Sequence, residues 1–427
     1  MSDAPAPFRV GLLGHGTVGS AVADLLPGRA DAIAHVTGLR PEISGVLTRS
    51  RGDFAEILAG SDLIVEVMGG TDAAYDHVTA AIRAGKHVVT ANKQLLAEYG
   101  EELWGLAREH GVQLRFEAAV AGVVPVIRVL QESLTGQHID RLHGIVNGTT
   151  NFILTQMAAT GASYADALAE AQRLGYAEAD PSDDVSGKDA AAKMAILARL
   201  AFDTPVHLSD VPYEGIEHLT AEDIEYARDL DLSLRLIGTA ERVGDELAVR
   251  VHPAFLYRGH PLAAVEGSFN AVTVESPSIT EITLSGPGAG GPQTATAVIG
   301  DVISAMIPPA QTPPTRNTLG FVDDVVSSFY LHVEVVDRPG VLAQIAQVLG
   351  LQGVSVKSVV QKGMTPTHPR PSGQGAAPGQ PHPARLVLVV HPVLESRFYG
   401  AVQMIGSKDF VTAPPRAIRV IDEEFSA

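Results

Sequence analysis

Short apolar runs alternate with amphipathic stretches along the first third of the chain. The first run, Phe8 to Leu13, leads into the glycine-rich segment GHGTVG, after which apolar residues recur at helical spacing from Ser20 to Leu26. Strands that alternate with helices in this way indicate an α/β domain with a parallel sheet, which we expect over residues 1–130. Apolar runs of strand length lie at residues 8–13, 43–47, 62–67, 86–90 and 113–119.

The middle of the chain, residues 131–306, mixes helical and strand patterns without a regular alternation. Such a mixture is typical of an α+β domain, which we expect to bind the substrate and to form a dimer surface. A glycine turn, SGPGAGG, precedes a helical pattern from Thr294 to Met306. We expect this last segment, about 285–306, to pack back against the first domain.

A proline-rich stretch separates the last part of the chain. Residues 307–316, IPPAQTPPTR, contain four prolines in ten residues, which predicts a semi-rigid linker over 307–328. Beyond it the pattern predicts strand, helix, strand, strand, helix and strand, the order of a ferredoxin-like module over 329–427. Residues 364–384 interrupt this module with six prolines and three glycines in 21 residues, so a disordered insertion is expected there.

Composition narrows the class of protein. The 427-residue chain is 45% hydrophobic and 19% charged and contains 42 glycines, as expected of a soluble globular α/β protein. Its net charge of −18 opposes binding to nucleic acid or to anionic membranes and favours small-molecule partners. The absence of cysteine excludes disulfides, thiolate nucleophiles, zinc–thiolate sites and iron–sulfur clusters.

The amino terminus and the length of the apolar runs favour a cytoplasmic protein. The first residues, MSDAPAPF, have neither the basic region nor the apolar region of a signal peptide. No apolar run approaches the roughly 18 residues that a membrane span needs. We therefore expect a cytoplasmic enzyme without a membrane partner.

The segment GHGTVG directly follows the first predicted strand and opens the first predicted helix. In a Rossmann-type domain, Gly14 forms the tight turn, Gly16 lets the backbone approach a pyrophosphate, and Gly19 lets the helix pack on the strand. The amino end of the helix then faces the phosphates. We expect a dinucleotide to bind at this turn, in contact also with Thr17 and Val18.

The end of the second predicted strand bears on the choice of cofactor. The acidic residue that usually binds a ribose 2′-hydroxyl is missing there, and the chain has Thr48, Arg49, Ser50 and Arg51 instead. A cationic strand end suits a 2′-phosphate, which favours NADP, in contact with Arg49, over NAD. A solvated turn with incidental arginines is the alternative, and NAD then stays open.

Carboxylates and lysines crowd around a Gly-Tyr turn and a proline at residues 171–193. In the helical pattern that ends this segment, Asp189 and Lys193 lie only about 40° apart and continue the apolar stripe. Both side chains are therefore expected in a cleft or in the core, where a lysine beside a carboxylate can exchange protons. The alternative is an exposed ion pair worth about 0.2–0.5 kcal/mol, with Ser186 and Asp189 forming a capping box.

Lys93 is a second candidate because it follows the predicted strand at residues 86–90 and opens a helix. Ligands bind at the carboxyl ends of parallel strands in such sheets. A cation at the amino end of a helix is mildly unfavourable. This favours a functional role for Lys93 over that of a surface lysine.

The segment from Gly175 to Lys193 strongly resembles the signature of homoserine dehydrogenases. Its spacing is Gly-Tyr-Ala, two residues, Asp-Pro, two residues, Asp-Val, one residue, Gly, one residue, Asp, three residues, Lys. The resemblance extends over essentially the whole chain, through EVMGG, TANK, FEAAVAG, GIVNGTTNFIL and HPLAAVEGSFNAV. It implies reversible, NAD(P)-dependent interconversion of L-homoserine and L-aspartate 4-semialdehyde on the route to threonine and methionine.

The resemblance implies which residues bind the substrate. A zwitterionic amino acid needs a carboxylate for its ammonium group. By resemblance Glu178 takes that role, with Asp184 nearby and Tyr176 shaping the pocket.

The resemblance also implies which residues carry the chemistry. Lys193 exchanges a proton with the C4 oxygen, oriented or tuned by Asp189, while hydride passes between C4 and the nicotinamide. Lys93 matches the family's second active-site lysine, between the cofactor and the substrate hydroxyl. The identity of the lysine that transfers the proton stays open, and a bound water could intervene.

The segment FEAAVAGVVP resembles a backbone loop that holds a monovalent cation in some family members. This resemblance places Glu117, Val120, Gly122 and Val124 around Na⁺. Carbonyl oxygens suit a hard cation and leave little side-chain signature. Val123 stands where a second glycine is common, and a plain turn at the domain junction is the alternative.

The C-terminal module, with the segment VEVVDRPGVLAQIA, resembles the ACT domain that many bacterial members carry. This implies feedback inhibition, most simply by L-threonine, through a regulatory interface in a homodimer or homotetramer. An oligomerisation module without an effector is the alternative. The Pro/Gly insertion departs from the compact family pattern, which puts the transfer of effector contacts in doubt.

Two other classes of protein share some of these features. A semialdehyde dehydrogenase that forms an acyl-enzyme also has a Rossmann domain, but it needs a cysteine nucleophile, which this chain lacks. A catalytically silent sensor of amino acids and dinucleotides would be expected to lose Lys193, Asp189 or Glu178. All three residues are present.

Overall fold

The structure is a computed structural model that describes residues 5–307, 319–363 and 382–421. Residues 308–318 of the predicted linker and 364–381 of the predicted insertion lie outside the described residues. Within the described ranges, no helix combines the length and the apolar character that crossing a membrane requires.

Contacts divide the chain into two compact units. The first unit comprises Met1–Leu219, Leu236–His252 and Ala264–Phe321, and the second comprises Thr220–Arg235, Pro253–Ala263 and Val322–Ala427. The second unit therefore includes residues before the predicted C-terminal module, which was expected to begin at residue 329. The predicted domain boundaries stay predictions.

Strands and helices follow one another along most of the described chain. The strands are β1 (Ala6–Leu13), β2 (Leu39–Leu47), β3 (Leu63–Glu66), β4 (His87–Thr90), β5 (Leu114–Arg115), β6 (Arg141–Ile145), β7 (Leu232–Val243), β8 (Glu246–Tyr257), β9 (Phe269–Ser276), β10 (Thr280–Pro287), β11 (Gly320–Phe321), β12 (Val326–Asp337), β13 (Val356–Gly363), β14 (His382–Leu394) and β15 (Arg416–Ile421). The α-helices are α1 (Thr17–Thr37), α2 (Phe54–Ala59), α3 (Asp72–Arg83), α4 (Lys93–Glu109), α5 (Val126–Arg128), α6 (Gly148–Thr160), α7 (Tyr164–Leu174), α8 (Ser182–Val185), α9 (Lys188–Phe202), α10 (Ala221–Asp229), α11 (Gly291–Ala305), α12 (Val341–Leu351) and α13 (Glu395–Gly406).

A parallel sheet in the order β2-β1-β3-β4-β5 lies within the first unit. Its strands are short apolar runs because helices cover both faces. Val10 and Leu12 of β1 pack with α1 and α11 on one face, and Leu13 packs with α3 and α4 on the other. This arrangement confirms the predicted α/β domain with a parallel sheet.

The last strand of this sheet is shorter than its apolar run predicted. Only Leu114–Arg115 pairs with β4, and the chain then bends into a 3₁₀ turn at Glu117–Ala119. The bend is held where the amide of Glu117 donates to Asp301 of α11 at 2.7 Å. The prediction of one strand over 113–119 was therefore wrong in its second half.

The rest of the first unit is built on β10, β9 and β6 and on those parts of β7 and β8 that lie within Leu236–His252, in the order β10-β9-β6-β7-β8. β6 is antiparallel to both β7 and β9, and β11 adds a parallel pairing to β8, so the sheet is mixed. The helices α6 and α9 both contact this sheet, at β9 and β6 respectively. They bring the segments NGTT and GKDAAAK into one region of the molecule.

In the second unit, four antiparallel strands follow the order β15-β12-β14-β13. The helices α12 and α13 join one core with these strands, and in it the rings of Phe329 and Phe398 stack with centroids 3.9 Å apart. The helix α10 contacts β15, where Asp223 accepts a hydrogen bond from Arg416 at 2.9 Å. The order of elements from β12 to β15 is strand, helix, strand, strand, helix and strand.

Candidate active site

Asp189 and Lys193 lie one turn apart on the same face of α9. Gly187 precedes the helix in the left-handed conformation, with φ of 87°, which glycine adopts without strain. The side chain of Asp189 is buried, and its Oδ2 accepts a hydrogen bond from Nζ of Lys193 at 2.7 Å. The alternative of an exposed capping box with Ser186 does not form, because Gly187 occupies the cap position and Asp189 faces the lysine.

A second lysine reaches the same carboxylate from α4. Asn92 caps this helix with its side chain, and Lys93 is the first helical residue. Nζ of Lys93 lies 2.5 Å from Oδ1 of Asp189. Lys193, on the other oxygen, also donates to the carbonyl oxygen of Val146 at 2.8 Å. The side chain of Lys93 is 37% exposed and that of Lys193 13% exposed, so both amino groups border a partly open space.

Burial and charge act in opposite directions on these groups. Burial raises the pKa of Asp189, but the charges of Lys193 and Lys93 and their hydrogen bonds bring it well below its ordinary value. Burial lowers the pKa of Lys93, and Asp189 more than reverses this, so the pKa of Lys93 lies above its ordinary value. Asp189 and Lys93 are therefore both charged at neutral pH.

Asp184, in the short helix α8, is a second carboxylate of the site. Its Oδ1 accepts from Nδ2 of Asn147 at 2.7 Å, and its Oδ2 accepts from the hydroxyl of Thr149 at 3.1 Å. Burial and the negative charge of Asp189 raise its pKa, while the hydrogen bonds and the charge of Lys193 act against this rise. A buried carboxylate beside another negative charge is stabilised by a further cationic partner.

Tyr176 and Glu178 lie on the turn between α7 and α8. Gly175 ends α7 in the left-handed conformation, with φ of 79°. The ring of Tyr176 is 4.7 Å from that of Phe152, and its carbonyl oxygen accepts from the hydroxyl of Thr149 at 2.7 Å. The side chain of Glu178 is exposed, and its carbonyl oxygen accepts from a glutamine of α7. Tyr176 and Asp184 thus share the single hydrogen of the Thr149 hydroxyl, and the contact with Tyr176 is the shorter one. The carboxylate of Glu178 faces solvent.

The other charged residues of this segment make surface contacts. Asp180 accepts from the amide and the hydroxyl of Ser182, at 3.2 and 2.5 Å, at the start of α8. Lys188 pairs with Asp183 at 3.1 Å, and both side chains are about half exposed. Exposed pairs of this kind contribute little to stability. They explain why the segment contains more charges than its chemistry needs.

The three glycines of GHGTVG meet different surroundings. A Cβ atom on Gly14, whose φ is 103°, would lie 2.6 Å from the carbonyl oxygen of Val67, and one on Gly19 would lie 2.1 Å from that of Gly14. A Cβ atom on Gly16 would have no atom within 4 Å. Gly16 borders open space at the start of α1, whose first residues, Thr17 and Val18, have amides without partners inside the helix. This space suits the phosphates of a dinucleotide.

Arg49 is exposed in the turn that follows β2. The amide of Thr48 donates to the carbonyl oxygen of Arg51 at 2.8 Å and closes this turn. The amide of Gly14 donates to the carbonyl oxygen of Leu47 at 2.9 Å, which joins the end of β2 to the glycine turn. Arg49 therefore lies two residues after Leu47, which is hydrogen-bonded to the glycine turn where the cofactor is expected.

A buried carboxylate also organises the strand ends beneath Lys93. Glu66, at the end of β3, is fully buried and accepts from the hydroxyl of Thr90 at 2.6 Å and from the amide of Met68 at 2.7 Å. The same hydroxyl of Thr90 accepts from the amide of Asn92 at 3.0 Å. Burial raises the pKa of Glu66 against these hydrogen bonds. Glu66 thus links β3 to the helix cap that precedes Lys93.

The side chain of Glu117 is engaged at the start of α5. Its two carboxylate oxygens accept from the amides of Ile127 and Arg128, at 2.8 and 2.9 Å. Burial and the charge of Asp301 raise the pKa of Glu117 to about 7. A cation at this loop would therefore meet the carbonyl oxygen of Glu117 rather than its carboxylate.

The loop after Glu117 turns sharply. Ala121 and Gly122 are both left-handed, with φ of 57° and 63°. A Cβ atom on Gly122 would lie 2.5 Å from the carbonyl oxygen of Gly288, so this backbone packs tightly. Among the residues that the structure describes, no group of three or more histidine, aspartate or glutamate side chains could hold a metal ion. Backbone oxygens, from residues such as Val120 and Val124, are the donors that this loop offers.

Sequence reasoning missed three contributors to the site. Asn147 donates to both Asp184 and Asp189, Thr149 donates to Asp184, and the carbonyl oxygen of Val146 accepts from a lysine. The available signal was the segment GIVNGTTNFIL, which carries part of the resemblance and contains all three residues. Asn147 caps α6 with its side-chain oxygen. A side chain that caps a helix with its oxygen still has its amide hydrogens free to donate elsewhere.

Comparisons with known proteins cover most of the chain. A family model described as homoserine dehydrogenase matches residues 125–303, and one described as the NAD-binding domain of homoserine dehydrogenase matches residues 14–117. The homoserine dehydrogenase of Neisseria gonorrhoeae is 38% identical, over 97% of this chain and 98% of the relative. That of Corynebacterium glutamicum is 40% identical, over 96% of this chain and 95% of the relative.

Solved structures give the same relation. A homoserine dehydrogenase from Thiobacillus denitrificans superposes with a TM-score of 0.89 at 35% identity, covering 97% of this chain and 98% of that one. The S. aureus homoserine dehydrogenase superposes with a TM-score of 0.77 at 29% identity, covering 98% of this chain and 100% of that one. A hyperthermophilic archaeal homoserine dehydrogenase in complex with NADPH superposes with a TM-score of 0.60 at 30% identity, covering 73% of this chain and 100% of that one.

Proposed function

The chain belongs to the homoserine dehydrogenase family of NAD(P)-dependent oxidoreductases, and on that premise we propose how its residues interconvert L-aspartate 4-semialdehyde and L-homoserine. The observation that carries the proposal is the contact of two lysines with one buried carboxylate, Asp189. The two ammonium groups outnumber the carboxylate that they contact, and the charge of the nearby Asp184 is offset by the ammonium group of the substrate. The resulting positive charge stabilises a substrate oxygen that becomes negative during reduction.

The lysines and Asp189 divide the proton chemistry. The nicotinamide cofactor, when bound, supplies the hydride to C4 in reduction and accepts it in oxidation. In reduction, the ammonium group of Lys193 donates a proton to the C4 oxygen, and in oxidation its neutral amine takes that proton back. Lys93 lies between the cofactor and the same oxygen. Asp189 stays ionised and holds both amino groups.

Asp184, Glu178 and Tyr176 bind the amino-acid end of the substrate. Glu178 and Asp184 take the ammonium group, and the buried Asp184 gains most from it because burial and Asp189 oppose its ionisation. Tyr176 closes the pocket with a ring that packs on Phe152. A zwitterion held in this way presents its C4 end to the lysines.

The glycine turn holds the dinucleotide. Gly14 and Gly19 shape the turn, while Gly16 and the first amides of α1, at Thr17 and Val18, receive the phosphates. The open space beside Gly16 supports this assignment. Arg49 takes the 2′-phosphate, so NADP is preferred over NAD, and a related archaeal enzyme was solved with NADPH.

The loop at Glu117 binds Na⁺ through backbone carbonyl oxygens. The donors are those of Glu117, Val120, Gly122 and Val124, and oxygen donors suit this hard cation. The tight turn at Gly122 supports the assignment. The cation would hold the loop in one conformation beside the junction of β5 and α5.

The C-terminal strands and helices act as an ACT-like regulatory module of ferredoxin-like topology. The order of elements from β12 to β15 and their antiparallel pairing support this. L-Threonine is the effector, and the enzyme is a cytoplasmic homodimer or homotetramer. Exposed apolar side chains such as Leu351 and Val326 are available for contacts between subunits.

Oxidation of NADPH with L-aspartate 4-semialdehyde tests the proposal. The unmodified protein should oxidise NADPH, and Lys193→Ala should lower kcat by about 10²-fold or more. Lys188→Ala is the matched control, because Lys188 lies on the same helix and pairs at the surface with Asp183. No activity in the unmodified protein, or equal loss in both variants, would contradict the proposal.

The same assay addresses the cofactor, the cation and the effector. We expect a higher kcat/KM with NADPH than with NADH, a loss of activity when K⁺ or choline replaces Na⁺, and inhibition by L-threonine. Size-exclusion chromatography with light scattering gives the oligomeric state. Each result bears on one assignment and leaves the others standing.

A further inference from the structure

One amide side chain lies between the two carboxylates of the candidate active site. Nδ2 of Asn147 is 2.7 Å from Oδ1 of Asp184 and 2.8 Å from Oδ2 of Asp189. An amide nitrogen carries two hydrogens, so each carboxylate receives one of them. Asn147 is only 4% exposed, and these bonds are therefore shielded from water.

The orientation of this amide is fixed from its other end. Oδ1 of Asn147 accepts from the amide of Thr150 at 2.8 Å and from its hydroxyl at 2.9 Å. A flipped amide would turn its NH₂ group toward these donors and its oxygen toward two carboxylates, which is repulsive on both sides. The cap of α6 thus ensures that two donors face Asp184 and Asp189.

The two carboxylates depend on Asn147 to different extents. Asp189 contacts two ammonium groups, those of Lys93 and Lys193, so its charge is balanced without the amide. Besides the amide, Asp184 has one neutral donor, the hydroxyl of Thr149 at 3.1 Å, whose single hydrogen is shared with the carbonyl oxygen of Tyr176 at 2.7 Å. Its ionisation is opposed by the charge of Asp189 and favoured by that of Lys193, and it also interacts electrostatically with Lys93.

We propose that Asn147 is a positioning residue that keeps Asp184 ionised beside Asp189, so that Asp184 can bind the substrate's ammonium group while Asp189 holds the lysines. This inference rests on the proposed function for the role of Asp184. Without the amide hydrogens, two carboxylates would face each other across the site. Asp184 would then take up a proton, because Asp189 keeps its lysines.

Two substitutions retain an acceptor for the helix cap and remove the amide. Asn147→Ser leaves a hydroxyl, and Asn147→Asp leaves a carboxylate of nearly the same shape. The acid limb of kcat/KM for L-aspartate 4-semialdehyde, measured in the direction in which Lys193 must be protonated, should move to higher pH by about one unit in Asn147→Ser. It should move further in Asn147→Asp, which adds a third negative charge. The direction follows because a carboxyl group with a raised pKa loses its charge at a higher pH.

KM and kcat should respond differently. At a pH below the shifted limb, KM for L-aspartate 4-semialdehyde should rise about tenfold, in step with a limb that moves by one unit. The value of kcat should change less, because the lysines keep their contacts with Asp189. A role in folding alone would lower stability without moving the acid limb.

Asn151 provides a matched control on the same helix. It is as buried as Asn147, and its amide donates to the carbonyl oxygens of Val265, Gly267 and Phe269, at 3.1, 3.0 and 3.3 Å. Asn151→Ser should lower the melting temperature and leave the acid limb in place. An acid limb that is unmoved in both Asn147 variants, or that moves equally in Asn151→Ser, overturns the proposal.

Thr149→Val tests the titration of Asp184 without altering Asn147. It can be measured even if neither Asn147 variant folds. It removes the other donor to Asp184, a hydroxyl whose single hydrogen is shared with the carbonyl oxygen of Tyr176, so it should move the same limb in the same direction by less than Asn147→Ser does. An unmoved limb in this variant shows that Asp184 is not the titrating group and overturns the proposal. Absence of homoserine oxidation in the unmodified protein would instead contradict the proposed function.

Discussion

Lys93 and Lys193 contact opposite oxygens of a single carboxylate, that of Asp189, at 2.5 and 2.7 Å. Lys93 comes from the first residue of α4 and Lys193 from the middle of α9. Removing the carboxylate would leave two like charges in a confined space. The spacing of the two amino groups at the site therefore depends on Asp189 more than on either helix alone.

Asp189→Asn should change the pH dependence of the reaction as well as its rate. Asp189 raises the pKa of Lys93 against burial, so without this charge Lys93 loses its proton at a lower pH. The basic limb of the rate of semialdehyde reduction should move to lower pH, and kcat should fall by about 10²-fold or more. Asp180→Asn removes an exposed carboxylate of the same segment, which accepts from the amide and the hydroxyl of Ser182, and is the control. A basic limb that stays in place would contradict this account.

Glu178→Leu should raise KM for L-homoserine about tenfold, because a hydrogen bond to a charged group is lost. The dissociation constant of NADPH, measured by its fluorescence, should change little. Glu170→Leu, at a partly exposed glutamate of α7 that pairs with Arg173, controls for the loss of a surface charge. Equal weakening of substrate and cofactor would argue against a contact with the ammonium group.

Arg49→Ala should lower the preference for NADPH over NADH by about tenfold, since one charge-assisted hydrogen bond to the 2′-phosphate is removed. The ratio of kcat/KM for the two cofactors measures this preference. Arg40→Ala removes an arginine from the opposite end of the same strand, where it pairs with Asp31. A ratio that is unchanged in Arg49→Ala would remove this residue from the cofactor site.

Gly16→Ala and Gly19→Ala should separate cofactor binding from folding. A methyl group on Gly16 meets open space, so stability should change by less than about 0.5 kcal/mol, while NADPH binding weakens about tenfold. A methyl group on Gly19 meets the carbonyl oxygen of Gly14, and unfolding in urea should show a loss of about 1–3 kcal/mol. The reverse order of effects would rule out phosphates beside Gly16.

Local patterns predicted those parts of the site that depend on neighbours along the chain. The contact of Asp189 with Lys193 follows from helical spacing, and the glycine turn follows from a strand that precedes a helix. The short apolar runs predicted the parallel sheet because they alternate with helical patterns along the chain. The apolar run at residues 113–119 did not predict the bend after Arg115. This bend depends on the hydrogen bond from the amide of Glu117 to Asp301, which is distant in sequence.

The remaining contacts join segments that are far apart in sequence. Sequence similarity suggested Lys93 as a site residue, but nothing local predicts that its partner is Asp189. Asn147 caps α6, and its second role, as a donor to two carboxylates, depends on where α8 and α9 return to α6. Glu66 was a further omission, because a carboxylate at a buried strand end shows its partners only after the strands have paired.

The ion pair of Lys93 with Asp189 has a consequence for chemical inhibitors. Lys93 has the more exposed side chain of the two lysines, and an electrophile entering the site would meet it first. Its raised pKa keeps it protonated at neutral pH, and an ammonium group has no free electron pair with which to attack. Acylating agents and aldehydes directed at this lysine should therefore react slowly, and compounds that present an anion to both amino groups are the better starting point for inhibition.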